Sequence, residues 1–114
     1  MTKTEKFFNI AKKAALAVDD RRKYKLGAVG IRTDGAIVES RNLPCHKPDA
    51  NAHAEFRLAK KLNWGSVVYV VRVLADGSLT MAKPCVKCVS ALRLRGVKRC
   101  YYSISDCEHG VMKL

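Results

Sequence analysis

The segment Val67-Val68-Tyr69-Val70-Val71-Arg72-Val73-Leu74 is an almost unbroken apolar, β-branched run in a chain of 114 residues. A strand with one face in water alternates apolar and polar residues, and this run does not alternate. Its composition is typical of a central strand that is covered on both faces. The sequence therefore predicts an α/β fold with helices on both sides of a sheet, which is a three-layer α/β/α arrangement.

A helix and two strands are predicted before this central strand. Residues 6–18 place four apolar side chains on one helical face. These are Phe7, Ala11, Ala14 and Val18. Residues 26–32 and 36–41 are predicted strands joined by Thr33-Asp34-Gly35, and an Asp-Gly step favours a tight hairpin turn. We therefore expect an antiparallel hairpin in the N-terminal part of the sheet.

Two helices with the same spacing flank the central strand in the sequence, over residues 52–62 and 84–95. Each has four residues at positions i, i+3, i+4 and i+7 of one face. They are Glu55, Leu58, Ala59 and Leu62 in the first helix, and Cys85, Cys88, Val89 and Leu92 in the second. Pro84 suits a first helical turn, and Gly96 suits the position after a helix end. We therefore expect Glu55 and both thiols to face inward.

The remaining residues complete a mixed sheet of about five strands. Residues 97–103 form the next strand, and two strand-helix-strand crossovers follow the hairpin. Only the eleven residues 104–114 remain after it, which is too few for another helix and strand. They suit a hairpin that adds a short antiparallel strand at the sheet edge. We predict one domain over residues 1–114, which is large enough to bury its own core.

Metal-binding side chains and one carboxylate stand at the starts of the two helices around the central strand. His53-Ala54-Glu55 and Pro84-Cys85-Val86-Lys87-Cys88 form the pattern H-x-E followed by P-C-x-x-C, which is typical of zinc deaminases of nucleobases. His53, Cys85 and Cys88 are predicted to bind Zn2+ and to leave its fourth position to water, whose pKa then falls to about 7. Helix N-termini favour thiolate over thiol, which should assist metal binding.

Glu55 stands outside this ligand set, and we predict that it is the catalytic residue. Hydrolytic deamination requires a group that takes a proton from the attacking water, protonates the ring nitrogen and then protonates the leaving amine. The alternatives are a redox dithiol, a zinc knuckle and a structural zinc with a fourth protein ligand. The candidates for that ligand are Cys45, His46, Cys100, Cys107 and His109. A structural zinc would leave the inward carboxylate buried without a purpose, which is costly.

The order of these elements, with His53, Glu55, Cys85 and Cys88 in place, resembles the cytidine deaminase-like superfamily over nearly the whole chain. A histidine as first ligand is similar to deoxycytidylate deaminases and tRNA adenosine deaminases, and residues 83–103 are similar to small deaminases of bacteriophages. The short tail is similar instead to free nucleoside deaminases. The resemblance implies zinc-dependent hydrolysis of cytosine in a nucleotide or nucleoside, with deoxycytidylate preferred and a uracil product and ammonia released.

The same resemblance implies two substrate-binding positions. Asn42, at the end of the second predicted strand, is similar to the family asparagine that contacts the sugar or base of the substrate. Its simpler interpretation is a loop residue that caps a turn before Pro44. In the family the backbone amide at the position of Ala54 also contacts the base, and this contact does not depend on the side chain.

The charge of the chain indicates an anionic substrate or partner. Its 22 Lys and Arg against 10 Asp and Glu give a formal net charge of +12. Such a surface attracts phosphate. Clusters at Arg21-Arg22-Lys23-Lys25, Lys60-Lys61 and Arg93-Arg95-Lys98-Arg99 suit a nucleotide phosphate or single-stranded nucleic acid, or are simply a solvated basic face. Trp64 and Tyr24 are candidates for stacking on bases.

Composition also limits the compartment and the partners. No stretch approaches the roughly 20 apolar residues of a membrane span, so we expect no membrane partner. The N-terminal residues lack the features of a secretory signal, and five cysteines are an odd number for disulfide pairing. We expect a cytoplasmic protein, in the host cytoplasm if a phage encodes it. We also expect a homo-oligomer, because members of the resembled family usually assemble.

Two other functions stay open at this point. The first is a deaminase that acts on a polynucleotide, either cytosine in single-stranded DNA or adenosine in tRNA. The second is a non-catalytic, zinc-stabilised module that binds nucleic acid.

Overall fold

The computed structural model describes residues 2–17, 24–42 and 53–114. Within these ranges the chain forms three helices and six strands. In chain order they are α1 (Lys3–Ala15), β1 (Tyr24–Ile31), β2 (Ile37–Arg41), α2 (Ala54–Ala59), β3 (Val67–Leu74), β4 (Leu79–Thr80), α3 (Val86–Leu94), β5 (Arg99–Ser103) and β6 (His109–Lys113). None of the helices in these ranges is long and apolar enough to cross a bilayer.

The strands form one mixed sheet in the order β2-β1-β3-β5-β6. β1 pairs antiparallel with β2 and β3, and β3 pairs parallel with β5. β4 pairs with the end of β3, beyond the part that pairs with β5. The strand β6 lies antiparallel to β5 at the sheet edge. These pairings confirm the predicted central strand, the N-terminal hairpin and the short C-terminal edge strand.

Alternate residues of β3 support two separate cores, one on each face of the sheet. Tyr69, Val71 and Val73 pack with the buried residues of α1. Val68 and Val70 pack on the other face with Leu58 of α2 and Leu92 of α3. Because both faces of the strand are covered, apolar and polar residues do not alternate along it. The three-layer α/β/α architecture is confirmed.

The helix ends differ from the sequence-based expectation by a few residues. Thr2 caps the start of α1, since its hydroxyl accepts a hydrogen bond from the amide of Glu5 at 3.1 Å. The helix thus begins earlier than residue 6 and ends at Ala15, and Val18 lies outside the described residues. His53 and Cys85 are the N-cap residues of α2 and α3, so both helices begin later than predicted.

The predicted Asp34-Gly35 turn is present, and a second Asp-Gly turn lies at Asp76-Gly77. At the first turn, the amide of Arg32 donates to the carbonyl of Ala36 at 2.9 Å and closes the β1–β2 hairpin. At the second, the amide of Leu74 donates to the carbonyl of Ser78 at 2.9 Å and leads into β4, which the sequence did not predict. This short hairpin carries the chain from β3 towards α3.

Candidate metal centre and active site

The helices α2 and α3 bring the predicted zinc ligands together on one face of the sheet. His53 lies at the N-cap of α2, Cys85 lies at the N-cap of α3, and Cys88 lies in the first turn of α3. β2 and β3 run in the same direction, because each pairs antiparallel with β1, and the N-termini of α2 and α3 meet at the side of the sheet where these two strands end. The motif residues, 32 positions apart in the chain, therefore become neighbours.

The three ligand atoms have the spacing of a tetrahedral zinc site. The Nδ1 atom of His53 lies 3.4 Å from Sγ of Cys88 and 3.6 Å from Sγ of Cys85, and the two sulfurs are 3.5 Å apart. Zinc bonds of about 2.3 Å to sulfur and 2.0 Å to nitrogen at tetrahedral angles imply ligand separations of about 3.6–3.8 Å. The three side chains are thus positioned to bind zinc, and they occupy three of its four positions.

The described residues contribute no fourth histidine, cysteine or carboxylate to this group. Cys100 is buried in β5, and Cys107 is exposed in the turn after it. The ring of His109 packs near Phe8 and Tyr101 on the opposite face of the sheet. These three candidates for a fourth structural ligand are therefore excluded by position. Cys45 and His46 lie outside the described residues.

The two thiols differ in burial, which corrects the expectation that both face inward. Cys88 is fully buried, whereas Cys85 is exposed. Cys85 is the N-cap, where the backbone is extended, and helical spacing does not apply to its side chain. Burial raises the pKa of the Cys88 thiol, and the Glu55 carboxylate and Cys85 raise it further.

Glu55 lies inside α2 in the predicted position and faces the metal ligands. Its side chain is only 3% exposed, and its Oε1 atom has no hydrogen-bond partner among the described residues. Burial raises the pKa of this carboxyl, and its own backbone amide, His53 and Cys88 oppose the rise. A buried carboxylate oxygen without a partner is costly in a structure that does not use it. Its position fits a water or substrate atom at the metal centre.

A pocket of about 180 Å³ opens beside the ligands. Its lining includes His53, Glu55 and Cys85, together with Leu26, Arg72, Met81, Ala82 and Lys83. Arg72 and Lys83 were not predicted as site residues. Arg72 is half-buried and pairs with Leu26 in the sheet, and Lys83 is exposed just before the P-C-x-x-C motif. The sequence did contain one indication of Arg72, because it is the single charged residue within the apolar segment of β3.

Neither of the two predicted substrate-binding residues lines this pocket, but each adjoins a residue that does. Asn42 follows β2, and its Oδ1 atom accepts a hydrogen bond from the amide of Leu26 at 2.9 Å. The amide of Asn42 donates in return to the Leu26 carbonyl at 3.1 Å. Ala54 is fully buried and is the first residue of α2. Its amide belongs to the first helical turn, which has no acceptor within the helix.

Comparisons with known proteins agree with this geometry. The profile of the family described as the cytidine and deoxycytidylate deaminase zinc-binding region matches residues 1–104. No curated protein sequence matches the chain. The structure is similar to that of a cytidine deaminase from Burkholderia pseudomallei, with a TM-score of 0.70 and 20% identity over 99% of this chain and 93% of that chain.

Two mycobacterial structures share the fold. A cytidine deaminase from Mycobacterium leprae has a TM-score of 0.63 and 16% identity, over 97% of this chain and 94% of that chain. A cytidine deaminase from Mycobacterium tuberculosis has a TM-score of 0.59 and 18% identity, over 90% of this chain and 85% of that chain. The family profile and the three positioned zinc ligands show that the chain belongs to the cytidine and deoxycytidylate deaminase family and is a zinc-dependent deaminase.

Proposed function

We propose that the chain hydrolyses cytosine in a nucleotide to uracil and ammonia, with deoxycytidylate as the preferred substrate. The observation that carries this proposal is the pocket in which Glu55 and the zinc ligands share a wall with Arg72 and Lys83. Deamination of the base needs the ligands and the carboxylate, but it does not need two cations. Guanidinium and ammonium groups both bind phosphate, so these two side chains suit a nucleotide substrate.

The proposed roles follow from the chemistry of the groups. Bound zinc would lower the pKa of a water molecule and so supply a nucleophile at neutral pH. Glu55 accepts a proton from the attacking water and passes it to N3 of cytosine as the oxygen bonds to C4. Glu55 then takes the second proton of that oxygen and delivers it to the amino group. The C4–N bond breaks, ammonia leaves, and the C4 carbonyl of uracil remains.

Two contacts would orient the base and the sugar. We assign the Ala54 backbone amide to the base, because the first turn of α2 leaves this donor free of helical partners and places it beside Glu55. We assign Asn42 to the sugar or base, because it is fastened to Leu26, which lines the pocket. Both assignments leave the proton transfers to Glu55.

A deamination panel tests the substrate assignment. It comprises cytidine, deoxycytidine, their mono- and triphosphates, and a short single-stranded oligonucleotide. We expect the highest kcat/KM for deoxycytidylate. Highest activity on the oligonucleotide would replace this proposal with the polynucleotide deaminase, and a zinc-loaded protein that releases no ammonia from cytosine, adenine or guanine compounds would favour the non-catalytic module.

The role of the two cations has its own test. Charged hydrogen bonds contribute about 1.5–3 kcal/mol, so Arg72→Gln should lower kcat/KM for deoxycytidylate about 10- to 150-fold and leave deoxycytidine nearly unchanged. Lys83→Gln should act in the same direction. Lys13→Gln is the matched control, since Lys13 is exposed on α1, on the other face of the sheet. Equal losses on the nucleotide and the nucleoside would contradict phosphate recognition.

Assembly and compartment complete the proposal. We propose a homo-oligomer in which sheet edges take part, because β6 is an edge strand and its Val111 is 50% exposed. Light scattering of the purified protein tests this. The free thiols of Cys85, Cys88, Cys100 and Cys107 support a reducing compartment such as the cytoplasm.

A further inference from the structure

A second cavity lies at the opposite end of α2 and α3 from the metal centre. It has a volume of about 350 Å³, and its lining includes Trp64, Gly65, Gly96, Val97, Arg93 and Lys98. Trp64 and Gly65 follow α2, Gly96 follows α3, and the Gly65 amide donates to the Gly96 carbonyl at 2.8 Å. The nine residues of α3 separate this cavity from the zinc ligands by about 14 Å. It is thus separate from the pocket that holds Glu55.

The indole of Trp64 is held in place although it is exposed. Its side chain is 79% exposed, and one of its faces rests on the backbone of Gly96. Gly96 has a φ of +76°, and a Cβ atom at that position would lie 2.2 Å from Cε3 of Trp64. A residue with a side chain would therefore displace the ring. The contact fixes one face of the indole and leaves a flat aromatic surface towards solvent.

Two cationic side chains lie beside this indole. Arg93 and Lys98 line the cavity and are exposed. Residues 77–105 contain six Lys and Arg and no Asp or Glu, so no acidic residue of this segment neutralises them. A flat aromatic face beside cations is the combination that binds single-stranded nucleic acid, since bases stack and phosphates pair with the charges.

The helix ends decide which kind of anion fits. Both α2 and α3 end near this cavity, and the partial negative charge of helix C-termini opposes an anion there. A ligand that gains stacking energy on Trp64 and contacts both cations overcomes this opposition, as a strand of several nucleotides does.

We propose that the Trp64 cavity binds single-stranded nucleic acid, with one base stacked on the free face of the indole and neighbouring phosphates on Arg93 and Lys98. This binding site goes beyond the proposed deamination of a mononucleotide. It gives the enzyme an attachment to nucleic acid that leaves the zinc pocket open to its substrate.

Trp64 is the only tryptophan in the chain, so fluorescence excited selectively at the indole reports on this cavity and not on the four tyrosines. Titration of the zinc-loaded protein with oligothymidylate should quench this fluorescence, and raising the salt concentration should reverse the effect. Affinity for a labelled oligothymidylate, measured by anisotropy, should fall about 5- to 150-fold in Trp64→Leu, in line with the loss of one base–aromatic stack. Trp64→Phe keeps a ring and should lose less. Matching unfolding temperatures would show that the variants are folded.

Two matched double variants distinguish binding at this site from general electrostatic attraction to a basic protein. Arg93→Gln/Lys98→Gln and Lys3→Gln/Lys13→Gln each remove two positive charges from exposed positions. Only the first pair should flatten the dependence of log affinity on log salt, by about 1.4 for two phosphate contacts on a single strand.

Three results would overturn the proposal: equal effects of the two pairs, binding without quenching, and an indole already shielded from acrylamide in the free protein. The last result would show that a second copy of the chain covers this face. Because deamination of mononucleotides is measured separately, failure of the binding site leaves the proposed function standing, and the reverse also holds.

Discussion

Replacing Glu55 by glutamine tests the catalytic assignment most directly. The side chain is 3% exposed and its Oε1 atom has no hydrogen-bond partner in the described parts of the chain. Glutamine has nearly the same shape but cannot accept or deliver a proton. One positioned acid–base group contributes about 10²- to 10⁴-fold. Because the proposed cycle assigns both proton transfers to Glu55, we expect kcat to fall by about 10⁴-fold or more, which is about 5 kcal/mol of barrier.

The assay must show that only proton transfer is lost. Deamination is monitored through the ammonia that is released, and the zinc content of the same sample is measured by metal analysis. Zinc should stay at one ion per chain, since His53, Cys85 and Cys88 form the ligand group without Glu55. Glu108→Gln, at an exposed position next to β6, is the matched control and should keep full activity. Near-normal turnover of Glu55→Gln with zinc bound would refute the assignment, and loss of zinc would show that Glu55 is a ligand.

Three further outcomes follow from the packing and the site. A chelator should abolish activity and lower the unfolding temperature, because zinc ties α2 to α3, and added Zn2+ should restore both; an unchanged unfolding temperature would contradict a shared metal. Gly27→Ala should destabilise the fold by about 1–3 kcal/mol in denaturant unfolding, since its Cβ would lie 2.0 Å from the Ala11 carbonyl oxygen. Burial and the nearby Tyr101 raise the pKa of Tyr69. The unfolded state therefore ionises first, and stability falls above about pH 10. Tyr69→Phe should flatten this fall in unfolding temperature.

The sheet and its layers were predictable from local patterns, but β4 was not. Apolar and polar residues do not alternate in β3, which indicated that helices cover both faces of this strand. The Asp-Gly turn predicted the hairpin of β1 and β2. β4 has two residues, and distant side chains hold it. The carboxylate of Asp106 accepts from the amide of Leu79 at 2.7 Å, and the hydroxyl of Ser103 donates to the carbonyl of Thr80 at 2.7 Å. A strand that depends on partners more than twenty residues away has no periodicity of its own.

The chemistry of the site was predictable because its residue types are few and specific. His53, Cys85 and Cys88 lie within bonding distance of one ion, as their spacing indicated. Burial was the weaker inference, because it assumed helical geometry at Cys85. As an N-cap, this residue leaves the helix and is exposed. Ligand identity thus follows from chemistry alone, whereas orientation depends on where the helix begins.

Arg72 shows why the substrate end of the pocket was harder to predict. Val68 and Val70 of β3 lie on the face that α2 and α3 cover, and Arg72 is the next residue on that face. A guanidinium fully enclosed under the helices would lose several kcal/mol of solvation. Arg72 instead lines a pocket, because the helices begin at this level and do not cover it. A charged residue that ends the apolar series on one face of a buried strand therefore marks the edge of the core. At the carboxyl end of β3, that edge lies at the candidate active site.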